Sequence, residues 1–390
     1  MENQKTTRQL FCRFMTYVLV AALASGITFG ICGYGGFSKL QSLEKLITEC
    51  FVGEVDKTKL EDAAADAMVK ATGDRWSYYI PASQYQSHME QMNNAYVGIG
   101  VTISSKVGEK GVQILQVNPD GGAHAAGIKT GDILVSVAGK NVVEVGMDTI
   151  SQVIRGEEGS LVEVGVLRGE EQLTFNVKRT TIKVTVAEGK MLQDNIGLVR
   201  IVNFDDRCAE ETLAAIEELT KQGAKALVFD VRFNPGGYKH ELVKVLDYLL
   251  PEGTIFHSET YDGKEEKTQS DAACLDLPMA VLVNGNSYSA AEFFAAALEE
   301  YDKAVIVGEP TVGKSYFQST FRLPDGSAVG LSVGKYYTPK GVSLADVGGL
   351  VPEVKIELTD EQETKLYAGI LEPEQDPHIQ AAVDALKQAG

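Results

Sequence analysis

Apolar and polar positions change period several times along the chain, and each change marks a different kind of element. Between residues 40 and 72, Leu43, Leu46, Ile47, Phe51, Leu60, Ala64, Met68 and Val69 recur at helical spacing with a break near Gly53, which predicts packed helices without a site. From 96 to 180 the runs shorten. Val97–Val101, Val112–Val117, Asp132–Val137, Leu161–Leu167 and Gln172–Val177 read as strands separated by turns such as Gly131-Asp132 and Gly139-Lys140. One short amphipathic helix, marked by Ile150, Val153 and Ile154, interrupts them. From Thr181 onward strands and helices alternate, which predicts an α/β core with largely parallel strands: Ile196–Ile201, helix Ala209–Gly223, Ala226–Asp230, helix His240–Leu250, Met279–Val283, helix Ala290–Leu298 and Ala304–Val307. Ser319–Leu323 and Ala328–Lys335 form a later β-rich portion, and Asp376–Ala389 reads as a last helix with Ile379, Ala382, Val383 and Leu386 on one face.

The pattern places chemistry at one point. The apolar run Met279–Val283 breaks at Asn284-Gly285-Asn286, and small residues then open a helix, so Ser289 sits at a strand-to-helix turn with an exposed hydroxyl. A serine needs a base to become a nucleophile, and no histidine lies within thirty residues of Ser289 on either side. Lysine is the other option, provided burial lowers its pKa from about 10.4 toward roughly 7 to 8, a shift of about 4 kcal/mol. Lys314 follows the apolar strand Ala304–Gly308, which could take its ammonium out of water. In a strand, positions 314, 316 and 318 share a face, so the Gln318 carboxamide can orient that ammonium.

Lys314 has a competing reading. Gly308-x-x-x-x-Gly313-Lys314-Ser315 satisfies the Walker A expression after a strand, which implies nucleotide binding. That motif needs a helix to follow, so that amides at its N-terminus meet phosphate. Tyr316–Leu323 is rich in aromatic and β-branched residues and runs into Pro324-Asp325-Gly326, which predicts a strand and a turn instead.

Other features narrow the class. Residues 1–13 carry Lys5, Arg8 and Arg13, and Phe14–Gly33 is twenty residues without a charge, the length of a membrane span. A single-pass anchor with a cytoplasmic N-terminus and the rest of the chain outside is the expectation; cleavage after Ala22-Leu23-Ala24 would export the protein instead. The net charge of −18 argues against nucleic acid. Cys12, Cys32, Cys50, Cys208 and Cys274 form no C-x-x-C pair, so no metal or redox site is expected, and only a Cys208–Cys274 bridge is left open. Trp76, the one tryptophan, sits in Gly73–Tyr79, which reads as an aromatic core cluster.

Taken in order, these motifs resemble the carboxyl-terminal processing peptidases, also called tail-specific proteases. The resemblance covers nearly all of the chain after residue 40. It rests on the Asp74–Tyr79 segment, a PDZ-like unit with Gly98-Ile99-Gly100 and Ala126–Leu134, Asp230–Gly237, Val283–Glu292, Val307–Lys314 with Gln318, Lys335–Pro339 and Gly349–Pro352. Tyr288 and Ala291 depart from the small residue and the serine usual there. The resemblance implies an α/β peptidase core (181–358, with an N-terminal helical part at 34–95), a β-rich cap portion, an inserted PDZ domain (96–180) and a C-terminal helical tail (359–390). It implies Ser289 as nucleophile, Lys314 as base, Gln318 as its support and no cofactor. The backbone N–H groups of Ala290 and of a glycine in Pro235-Gly236-Gly237, Gly236 above all, would hold the oxyanion. Ser287 is a nucleophile at the wrong spacing, and Glu292 reads as compensating a helix dipole. Val97, Gly98, Ile99 and Gly100 would hold a substrate's terminal carboxylate. Partners are then protein or peptide chains with a free C-terminus and the membrane through 14–33; a homo-oligomer or an activating partner is compatible. A catalytically silent PDZ scaffold is the alternative.

Overall fold

The structure, a computed structural model, describes residues 39–389. The expected anchor at 14–33 lies outside them, and among the described residues no helix is long and apolar enough to cross a membrane. The chain divides into two units, residues 1–74 and 75–390. The described part of the first holds helices Lys39–Cys50 and Lys57–Lys70, broken as the spacing predicts. The Asp56 carboxylate caps the second by accepting from the Lys59 N–H.

The second unit is built on a six-stranded sheet in the order Ala187–Met191, Ile196–Ile201, Ala226–Asp230, Met279–Val283, Ala304–Gly308, Val354–Lys355. All pairs are parallel except the first. Strands Ala226–Asp230 and Met279–Val283 are buried along their whole length, so alternate residues feed two cores. Leu227, Phe229 and Val281 pack with helices Cys208–Lys221, Lys239–Leu249 and Ala290–Glu300; Val228, Ala280 and Leu282 pack with Ile379, Ala382 and Leu386 of helix Pro377–Ala389. That last helix is also tied down electrostatically. Buried Arg232 lies 2.7 Å from Asp230 and 2.8 Å from Asp376, and His378 is 3.3 Å from it.

Beside this core lies an antiparallel sheet. Ala328–Tyr337 pairs with Tyr78–Ile80, with Tyr316–Arg322 and with Gly253–Thr260, which continues to Glu265–Ser270. The strand after Lys314 is therefore real, and the Walker A reading loses the helix it needs.

Residues 101–178 form the PDZ-like sheet, in the order Val101–Gly108, Gly111–Val117, Ile133–Val137, Leu161–Arg168, Glu171–Lys178. Helix Val142–Ile154 starts well before Asp148, because the Asn141 side chain accepts from the Val143 N–H and caps it there; Gly146, at φ 77°, kinks it. The expected strand Val97–Val101 splits. Ala95–Gly98 pairs with Thr180–Lys183 in a two-stranded ribbon, and only Val101 onward joins the sheet.

That ribbon is the joint between the sheet and the core. The amides of Asn94 and Asn203 bond reciprocally, at 3.0 and 2.8 Å. The Arg207 guanidinium donates to the carbonyls of Asn93, Asn94 and Val184. Cys208 and Cys274 are both free thiols, so no bridge joins them.

Candidate active site

Ser289 ends the turn that leaves the buried strand Met279–Val283, and its backbone is at φ 60°, ψ −121°. For a residue with a Cβ this conformation costs about 1 to 3 kcal/mol, and it lifts the hydroxyl clear of the sheet. Ser289 lines one cavity of about 760 Å³ together with Lys314, Gln318, Gly236, Gly237 and Asp205. The three residues expected to carry the chemistry are thus brought together. Ser287 is not available for it: the side chain is fully buried and its hydroxyl donates to the Val231 carbonyl at 2.8 Å.

Lys314 is 9% exposed, and its Nζ donates to Gln318 Oε1 at 2.8 Å. Gln318 is itself oriented, since its amide nitrogen donates to Ser332 Oγ at 2.9 Å and to the Tyr316 carbonyl at 3.2 Å. The amine also lies over the Trp76 ring, 4.6 Å from its centroid, and 6.0 Å from that of Tyr288. Trp76 is therefore part of the site rather than the core cluster expected from its neighbours. Tyr336 lies below, donating its hydroxyl to the Lys314 carbonyl at 2.5 Å. Burial raises that hydroxyl well above its usual pKa, and the Ser289 side chain beside it pulls the other way.

Glu292 does more than face a helix dipole. It is fully buried, and its carboxyl oxygens accept from the backbone N–H groups of Ser289 (3.0 Å), Lys314 (2.9 Å) and Gly313 (2.6 Å) and from the Thr311 hydroxyl. One side chain therefore fixes the distance between the two loops that carry Ser289 and Lys314. Its place in the first turn after Ser289 was visible in the sequence; its partners, about twenty residues on, were not.

The glycine turn is pressed against the helix start. A Cβ on Gly236 would fall 2.7 Å from Ser289 Cβ and 2.8 Å from the Ala290 nitrogen, so nothing larger fits. The Gly236 N–H, however, already donates to Asn234 Oδ1 at 2.8 Å. Gly237 forms a parallel bridge with Phe204, in which the Phe204 N–H bonds the Gly236 carbonyl and the Tyr238 N–H bonds the Phe204 carbonyl. That geometry turns the N–H of Gly237 away from Phe204.

Asp205 was not singled out by any motif. It is 7% exposed, and its Oδ1 finds no hydrogen-bond partner among the described residues. Burial pushes its carboxyl up to about 7. Because the folded state holds this proton more tightly than the unfolded chain, the stabilising contribution is complete below about pH 3.9 and is lost as pH rises toward 7. Asp205→Asn is accordingly expected to be more stable than the parent by roughly 4 kcal/mol at pH 8 and nearly equal to it at pH 4. Urea denaturation at the two pH values measures this.

Of the four residues expected to hold a carboxylate, the structure separates two pairs. Val97 and Gly98 lie in the ribbon, opposite Thr181 and Thr180. Ile99 and Gly100 form the turn before the edge strand Val101–Gly108, with their carbonyls taken by the N–H groups of Ala123 and Asn118 at 2.8 Å.

The chain is similar to several known proteins. Residues 195–356 match peptidase family S41 and residues 95–178 match the PDZ domain. The chain is 32% identical over 365 residues to the carboxy-terminal processing protease CtpA of Bacillus subtilis (strain 168), covering 89% of this chain and 77% of that protein. It is 33% identical over 322 residues to a probable CtpA-like serine protease of Staphylococcus haemolyticus (strain JCSC1435), covering 82% of this chain but only 64% of the relative. A solved structure of a putative S41 protease from Bacteroides fragilis NCTC 9343 shares the fold, at a TM-score of 0.50 and 16% identity over 89% of this chain and 97% of that one.

Proposed function

The chain belongs to peptidase family S41, as a serine-type carboxyl-terminal processing peptidase with a PDZ domain, and from that premise we propose how its residues divide the work. Ser289 attacks the scissile carbonyl. Lys314, in its neutral form, takes the hydroxyl proton and later returns it to the leaving amine, while Gln318 holds the lysine in place. The observation that carries this reading is that a strained serine and a buried lysine bonded to an oriented glutamine line one cavity, which His88 and His240 also line, while the lysine is held by a partner that orients it.

The oxyanion would be met by the N–H of Ala290 at the helix start and by a second donor from the glycine turn. With the Gly236 N–H held by Asn234, Gly237 fits that place better than Gly236.

The PDZ domain would add a substrate's C-terminal segment beside the edge strand Val101–Gly108, the terminal carboxylate meeting the Ile99-Gly100 turn. The basic flank and the uncharged run at 14–33 support a single-pass anchor with the catalytic part outside the cytoplasm. No step here calls for a cofactor.

Digestion of a peptide with an apolar C-terminal tail tests the reading. Purified protein is expected to cut the free-acid form faster than the C-terminally amidated form, and Ser289→Ala to cut neither. Capture of the tail without any cleavage by the parent would leave a silent PDZ scaffold instead.

A further inference from the structure

The surroundings of Lys314 Nζ do not match what a base alone needs. A base must be neutral when substrate arrives, and burial of the amine pushes that way. Every partner named above pushes the other way. The face of Trp76 at 4.6 Å, the ring of Tyr288 at 6.0 Å and the Gln318 oxygen at 2.8 Å are all electron-rich and favour an ammonium. The two rings stack on each other, with centroids 5.8 Å apart and planes 28° apart, so they form one continuous surface. Trp76 is also held in place. The neighbouring Ser77 hydroxyl accepts from the Ser332 N–H at 3.1 Å, and the Ser332 hydroxyl is the group that orients Gln318.

We propose that Trp76 is a positioning residue that seats the protonated amine of Lys314 on its ring face and thereby sets the pH at which Lys314 becomes a base. The ring takes no part in bond making. It holds the charged amine in a defined place, and loss of the proton releases the amine for Ser289. The inference rests on Lys314 being the base, as proposed above, and says in addition what tunes it.

The chain contains a single tryptophan, so biosynthetic replacement with fluorotryptophans alters this one ring at nearly constant size. Fluorine drains the ring face of electron density. The pH at which kcat/KM reaches half its maximum is expected to fall stepwise with one, two and four fluorines, by a total of about half to one and a half pH units. Trp76→Leu should shift it the same way and Trp76→Phe by less. A ring that serves packing alone would lower the rate without moving the midpoint. In labelled Ser289→Ala, the fluorine resonance should titrate with Lys314, and that titration should vanish in Ser289→Ala/Lys314→Met.

A midpoint unmoved across the fluorine series, in a protein that Lys314→Met inactivates, would overturn the role of Trp76 while leaving Lys314 as base. Full activity of Lys314→Met would remove Lys314 from catalysis and Trp76's part with it, even if the resonance still reported the contact.

Discussion

Lys314→Ala is expected to lower kcat/KM by about a hundredfold to ten-thousandfold, the range for loss of a positioned general base, while the far-UV spectrum stays that of the parent. Ser289→Ala should fall as far, and the double variant should fall little further than either single one, because the two groups act as a unit. Lys314→Arg should not rescue, since a guanidinium stays charged at any working pH and cannot accept the hydroxyl proton. Initial rates on one tailed peptide measure all four. Additive losses would mean that serine and lysine act in separate steps.

Glu292→Ala is the second large effect, and it appears in stability as well as rate. Removing a buried acceptor shared by three backbone N–H groups and a hydroxyl leaves those donors without partners, at a cost of about 3 to 5 kcal/mol. The loops at 289 and 311–314 should then drift apart, so kcat should fall more than KM rises. Glu292→Gln retains one acceptor oxygen but turns an NH₂ toward donors, and should fall between. Urea denaturation read beside turnover separates the two losses. A Glu292→Ala protein with parental midpoint and rate would show that the clamp is dispensable.

Much of the fold was legible because its signals are local. Apolar runs bounded by turns marked the parallel strands, and alternation of those runs with helices marked the α/β core. The hairpin Gly253–Ser270 escaped because its second strand, Glu265–Ser270, is mostly exposed and polar and carries no alternation to read. That Ser289, Lys314 and Gln318 meet was legible from their spacing and from the lack of a histidine close to Ser289 in sequence. What spacing could not reveal was which distant groups meet them. Trp76 lies more than two hundred residues before Lys314, and only folding of Tyr78–Ile80 onto Ala328–Tyr337 brings its ring over the amine. The choice between Gly236 and Gly237 depends on where one Asn234 oxygen points. Asp205 carries no motif because its distinguishing property is a buried Oδ1 with no hydrogen-bond partner among the described residues, which only folding creates.

The segment 203–207 faces in two directions at once. Asn203 and Arg207 grip the residues where the chain enters and leaves the PDZ sheet, and Phe204 between them is hydrogen-bonded to the glycine turn beside Ser289. These five residues are few, and the last three already form a tight bend with Arg207 at φ 70°, so little slack is left to absorb strain. A PDZ domain that swings on its ribbon must therefore either let go of Arg207 or drag the Gly237 amide with it, so the aim of that amide becomes a readout of where the domain stands.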